Sequence, residues 1–143
     1  MKTFVILAVS ILLASILFCP MAMAAPPMPN DVQMVEPDPS LPKELAAFWG
    51  KWEGKDPVQN FFLIIEKIDE EKATFYLWRS GTRTMPTGWQ RFQAKVSKEN
   101  GKYKLSHRTA PQYGNQIVEY TLKGKYLDVS SPRGAGFRYT RVP

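Results

Sequence analysis

Past Gly54 no stretch of this chain sustains a helical period; β-branched and aromatic runs recur every eight to twelve residues with turn-forming residues between them. That spacing restricts the fold to an antiparallel barrel or sandwich. Eight runs predict strands at 50–55, 61–68, 73–79, 88–96, 102–108, 116–122, 125–130 and 136–142. Most connections between them are short, so consecutive strands can pair as an up-and-down meander, and closing it removes its exposed edges. The expected fold is all-β: an eight-stranded antiparallel up-and-down barrel, with a short helical run from about Leu45 to Trp49 ahead of the first strand.

Turn chemistry decides which side chains share a face, because the side-chain period of a strand is two. Asn100-Gly101, a strong hairpin signal, pairs Glu99 with Lys102. It puts Phe92, Ala94, Val96, Tyr103, Leu105 and His107 inside, and Arg91, Gln93, Lys95, Lys102, Lys104 and Arg108 outside. Lys123-Gly124 likewise places Val118, Tyr120, Leu127 and Val129 inside, with Glu119 opposite Asp128 on the outer surface. The runs Phe61-Phe62-Leu63-Ile64-Ile65 and Phe75-Tyr76-Leu77-Trp78 are apolar on both faces. Here the charged flanks Glu66 and Arg79 assign Tyr76 and Trp78 to the interior and Phe75 and Leu77 to the outside. The apolar outer face then needs a cover, from the helical run or from a partner.

The helical run closes on Gly50-Lys51-Trp52, and the last predicted strand reads Phe137-Arg138-Tyr139-Thr140-Arg141-Val142. Together these resemble the first signature of the lipocalin/calycin group. The resemblance implies that Trp52 plugs the closed end of the barrel and that Arg141 packs across its indole. Gly50 would allow the close turn into the first strand. The barrel is shorter than that of a typical lipocalin, and the group's later loop signatures have no counterpart in this sequence.

Ahead of this unit, residues 1–24 have a charged start, an apolar run from Phe4 to Phe18 and the small-residue ending Ala22-Met23-Ala24, the pattern of a secretory signal peptide. Cys19 is poorly placed for lipidation, because Phe18 rather than a small residue precedes it. Cleavage before Ala25 would leave a chain without cysteine, hence without disulfides, in the periplasm or outside the cell. Residues 25–40 are proline-rich and read as a flexible tether; Ala25 to Pro42 hold six of the chain's twelve prolines and few bulky apolar side chains. Residues 41–143 are the barrel domain.

Charge is distributed unevenly. From Ala25 to Ser80 there are six Lys/Arg against ten Asp/Glu, and from Gly81 to Pro143 twelve against three, so the second half carries +9. Such a half draws anions: acidic envelope polymers, membrane surfaces or carboxylate ligands. It also serves as a solvated basic rim that keeps the protein soluble.

One histidine and no mature cysteine remove most catalytic and metal-binding arrangements. No zinc spacing, phosphate loop or calcium loop is present, and Glu119 and Asp128 fall on the outer face, away from any buried substrate. No cofactor, metal, catalytic set or nucleic-acid partner is expected, and the protein is expected to be a non-enzymatic monomer. The inward rings either line a cavity or fill the interior; eight strands permit both outcomes. The candidate ligand-binding residues are Tyr76, Trp78, Phe92, Tyr103, His107, Tyr120 and Tyr139, an apolar wall with a few polar groups suited to a small hydrophobic or amphipathic ligand, anions included. Gly50, Trp52 and Arg141 form the structural plug. The rival function is a module without a cavity that docks on anionic envelope components or a protein partner through its basic half.

Overall fold

The computed structural model describes residues 25–55, 59–81, 87–132 and 134–143. The expected signal peptide, with Cys19, lies outside the described residues. One helical turn, α1 (Lys43–Ala46), begins after Pro42, whose carbonyl accepts from the Leu45 and Ala46 amides. It tightens as it ends: the Phe48 and Trp49 amides bond carbonyls three residues back.

Eight strands follow: β1 (Gly50–Lys55), β2 (Asn60–Ile68), β3 (Lys72–Arg79), β4 (Gly88–Glu99), β5 (Lys102–Arg108), β6 (Ile117–Lys123), β7 (Tyr126–Ser131) and β8 (Gly134–Val142). Each pairs antiparallel with its neighbour in sequence, and β8 returns to β1, closing the barrel. A single 3₁₀ turn, Pro111–Tyr113, interrupts the β5–β6 connection. Strand alternation fills the interior with Trp52, Leu63, Ile65, Phe75, Leu105 and Leu127, each no more than 1% exposed.

The β4–β5 hairpin forms as its turn residues dictate. Asn100 and Gly101 both take positive φ, and Glu99 pairs with Lys102. The second hairpin differs from the sequence expectation. Its turn sits one residue later, on Gly124 and Lys125, with Gly124 supplying the positive φ. Thr121 therefore faces Asp128, and Glu119 faces Ser130 rather than Asp128. Moving the turn by one residue shifts the register by two, so Tyr120, Leu127 and Val129 still point inward and are buried.

The facing of β3 is the larger correction. Phe75 pairs with Ile65 and Phe92 and contacts His107 and Tyr120 inside the barrel, so Phe75 and Leu77 are the inner residues. Tyr76 and Trp78 lie on the outer face with Ile64 and Phe62. Flanking charge misassigned them because of what covers that face. The proline-rich segment expected to be a flexible tether is laid along it. The Trp89 indole donates to the Pro27 carbonyl (2.9 Å), the Tyr76 hydroxyl to Asp31 (2.7 Å) and the Gln33 amide to Glu66 (3.0 Å). The Val35 amide bonds the Glu66 carbonyl at 2.8 Å. Glu66 occupies a bulge in β2, is 2% exposed, and pairs with Arg91. A chain that prolines already hold extended loses little entropy when it is laid on a sheet, which composition alone does not reveal.

Candidate functional site

The two ends of the barrel are built differently. At one end Trp52 is 1% exposed, and its indole N–H donates to the Phe48 carbonyl at 2.9 Å. The Arg141 guanidinium lies over the indole, 4.3 Å from the ring centre, beside Trp52 in the β1–β8 ladder. It also donates to the carbonyls of Trp49 (2.7 Å) and Ala47, which end the helical run and have no continuing helix to bond them. Gly50 has φ +123°, and a Cβ there would sit 2.7 Å from Arg141 Nη1. The plug thus joins the helical run, the first strand and the last strand through one cation. Burial lowers the Arg141 pKa from its ordinary value.

At the far end, where β1 finishes and β2 begins, the interior is less filled. Antiparallel order brings the start of β4, the end of β5 and the start of β6 to this same end. His107, 6% exposed, sits there in an aromatic cage: Phe92 at 4.9 Å, Phe75 at 5.3 Å edge-on, and Tyr120 stacked at 5.7 Å between ring centres. Its Nδ1 is buried without a hydrogen-bond partner. Burial pushes its pKa down to about 4, so the ring is neutral at pH 7. The same burial pushes the Tyr120 and Tyr139 hydroxyls well above the ordinary tyrosine range.

Beside this cage the strand ends border a half-open cavity of about 150 Å³. Phe61, Leu77, Val118 and Phe137 make its apolar wall together with the cage rings. Tyr139 reaches the wall across β1 because Gly54, its ladder partner, has no side chain; a Cβ there would meet the tyrosine ring at 2.7 Å. Arg79, Gln90, Thr109 and Tyr113 supply the polar edge. Arg79 lies over the Tyr113 ring (4.3 Å) and donates to Gln90 Oε1 (3.3 Å), while the Gln90 amide donates to the Tyr113 hydroxyl (3.2 Å).

Of the sequence-derived binding residues, Phe92, His107, Tyr120 and Tyr139 line this cavity. Tyr103 does not: it faces inward but starts β5 at the plugged end, where Lys98 Nζ lies 4.8 Å from its ring centre. Tyr76 and Trp78 are on the outer wall. Arg79 escapes the sequence reading because it follows from the facing of β3, and Tyr113 because it comes from the 3₁₀ turn rather than from a strand; Gln90, two residues before Phe92 on the same inner face of β4, was already within reach of alternation.

Broader hollows lie on the outer wall. One of about 500 Å³ runs between Lys123, Asp128 and Arg138, where Asp128 accepts from both cations and is held at about 2. Its walls are ion-paired side chains in contact with solvent, so it is a trough rather than an enclosed site. Glu99 and Glu119 likewise share Lys104, at 2.8 and 3.1 Å. Among the described residues no cluster of three or more His, Cys, Asp or Glu side chains can hold a metal ion. Comparisons with protein-family models, curated proteins and solved structures find no match to this chain.

Proposed function

We propose that this is an exported, lipocalin/calycin-like barrel that binds a small hydrophobic or amphipathic molecule non-covalently in the cavity beside His107, without catalysing a reaction. One observation carries the reading: a mainly apolar cavity of about 150 Å³ whose wall includes a buried, neutral imidazole with one ring nitrogen left unpartnered. A core histidine serving only packing is normally hydrogen-bonded, since leaving a buried polar atom unpaired costs about 1–3 kcal/mol. An apolar wall with few convergent polar groups is the usual lining of a small-molecule site. The Trp52–Arg141 plug supports the likeness to the lipocalin/calycin group, because that arrangement is what the Gly-x-Trp resemblance implies.

An apolar fluorescent probe no larger than a single substituted ring tests the reading. It should saturate at about one per chain, and Val118→Trp, which fills the wall, should abolish binding while costing only about 1–3 kcal/mol of stability. Binding that never saturates, or that survives the filling, would refute it.

A further inference from the structure

The lining chemistry narrows the ligand class, and this step rests on the binding function proposed above. Volume comes first: a cavity of about 150 Å³ holds a benzene-sized guest, so one ring fits inside it and a long acyl chain does not. Charge comes second. Among the thirteen lining residues Arg79 is the one side chain charged at neutral pH, and none is a carboxylate. Its neighbours are neutral, the Tyr113 ring and the Gln90 amide, and among the described residues it has no acidic partner. A guanidinium edge in a half-buried apolar setting presents its fork to a carboxylate with little competition from water. Hydrogen bonding comes third: His107 Nδ1 faces no protein partner, and a hydroxyl group satisfies either tautomer of a neutral imidazole.

We propose that the cavity takes a single-ring monocarboxylate carrying a hydroxyl or similar hydrogen-bonding substituent, with the carboxylate on Arg79 and the substituent on His107. Gln90 and Tyr113 position the guanidinium by holding it at the cavity edge. The basic second half of the chain adds a field that raises the local concentration of such anions.

Three probes separate the contributions: p-cresol has the ring and hydroxyl, 4-methylbenzoate the ring and carboxylate, and 4-hydroxybenzoate both. Titrated calorimetrically into the full mature protein at pH 7, 4-hydroxybenzoate should bind at least about tenfold tighter than p-cresol, the range of a charge-assisted hydrogen bond. It should bind roughly threefold or more tighter than 4-methylbenzoate, as one neutral hydrogen bond gives. Arg79→Gln should erase the preference for 4-hydroxybenzoate over p-cresol, and Arg79→Lys should restore part of it. If p-cresol binds as tightly as 4-hydroxybenzoate, or the preference survives Arg79→Gln, the assignment of ligand class is overturned and the pocket stands. If none of the three saturates, the binding function itself falls.

Discussion

Gly50→Ala isolates the logic of the plug. At φ +123° a residue with a Cβ is strained by about 1–3 kcal/mol, whatever surrounds it. Separately, the new methyl would lie 2.7 Å from Arg141 Nη1, so the guanidinium must move and give up its bond to the Trp49 carbonyl. Losing that bond at a partly exposed site costs about 0.5–1.5 kcal/mol. Together the substitution should cost about 2–4 kcal/mol, a large share of the 5–15 kcal/mol of an ordinary domain, and lower Tm by roughly 10–30 °C. The two parts separate in a double-mutant cycle. With Arg141→Ala already present, the steric part has nothing to displace and only the backbone part remains. The cycle should therefore show a coupling of about 1 kcal/mol, read from urea denaturation followed by tryptophan fluorescence. A Tm for Gly50→Ala within a few degrees of the parent, or strict additivity with Arg141→Ala, would refute the claim that Gly50 exists to admit Arg141.

Two further perturbations follow from buried groups. Glu66→Ala removes the acceptor of the Gln33 amide and the partner of Arg91; because Arg91 is more than half exposed and rehydrates, the loss should be about 1–3 kcal/mol, with faster amide exchange confined to residues 31–35. Unchanged exchange there would mean that Glu66 does not hold the N-terminal segment. His107 sets a pH dependence: its folded pKa of about 4 lies below its ordinary value of 6.5, so the unfolded chain binds the proton first. Stability is full above pH 6.5 and falls by roughly 3 kcal/mol as pH drops from 6.5 to about 4. Asp128, held at about 2, gives up its own contribution only below its ordinary 3.8, so the two windows do not overlap. His107→Phe should flatten the upper window, as measured by denaturation between pH 7 and 4; an unchanged slope would place the titration elsewhere.

Much of the barrel was legible because alternation and turn chemistry are local. Asn100-Gly101 fixes a register from two residues and with it the inner set of β4 and β5; the inner set of β6 and β7, read from Lys123-Gly124, survives because a turn placed one residue early shifts the register by two. The plug was legible through the resemblance, since Trp52 and Arg141 stand in the sequence at the two ends of the folded unit. What failed was the facing of β3. Both its faces are apolar, so pattern carries no information, and the deciding contacts come from residues 27–35, more than forty positions away. That single misreading moved Tyr76 and Trp78 into the site and left Arg79 out of it. Tyr103 failed for another reason: alternation tells inside from outside but not one end of the barrel from the other.

The most direct test of the binding claim is to watch His107 while a small ring compound is added. In two-dimensional NMR of uniformly ¹⁵N- and ¹³C-labelled protein titrated with p-cresol, the His107 ring nitrogens and the Val118 methyl groups should shift together and saturate at about one ligand per chain. The Trp52 indole N–H, sealed at the opposite end, and the Trp89 indole N–H, on the outer wall, should stay in place. Shifts that track Trp89 or the basic outer face instead of His107, or that never saturate, would contradict the account and put binding on the surface.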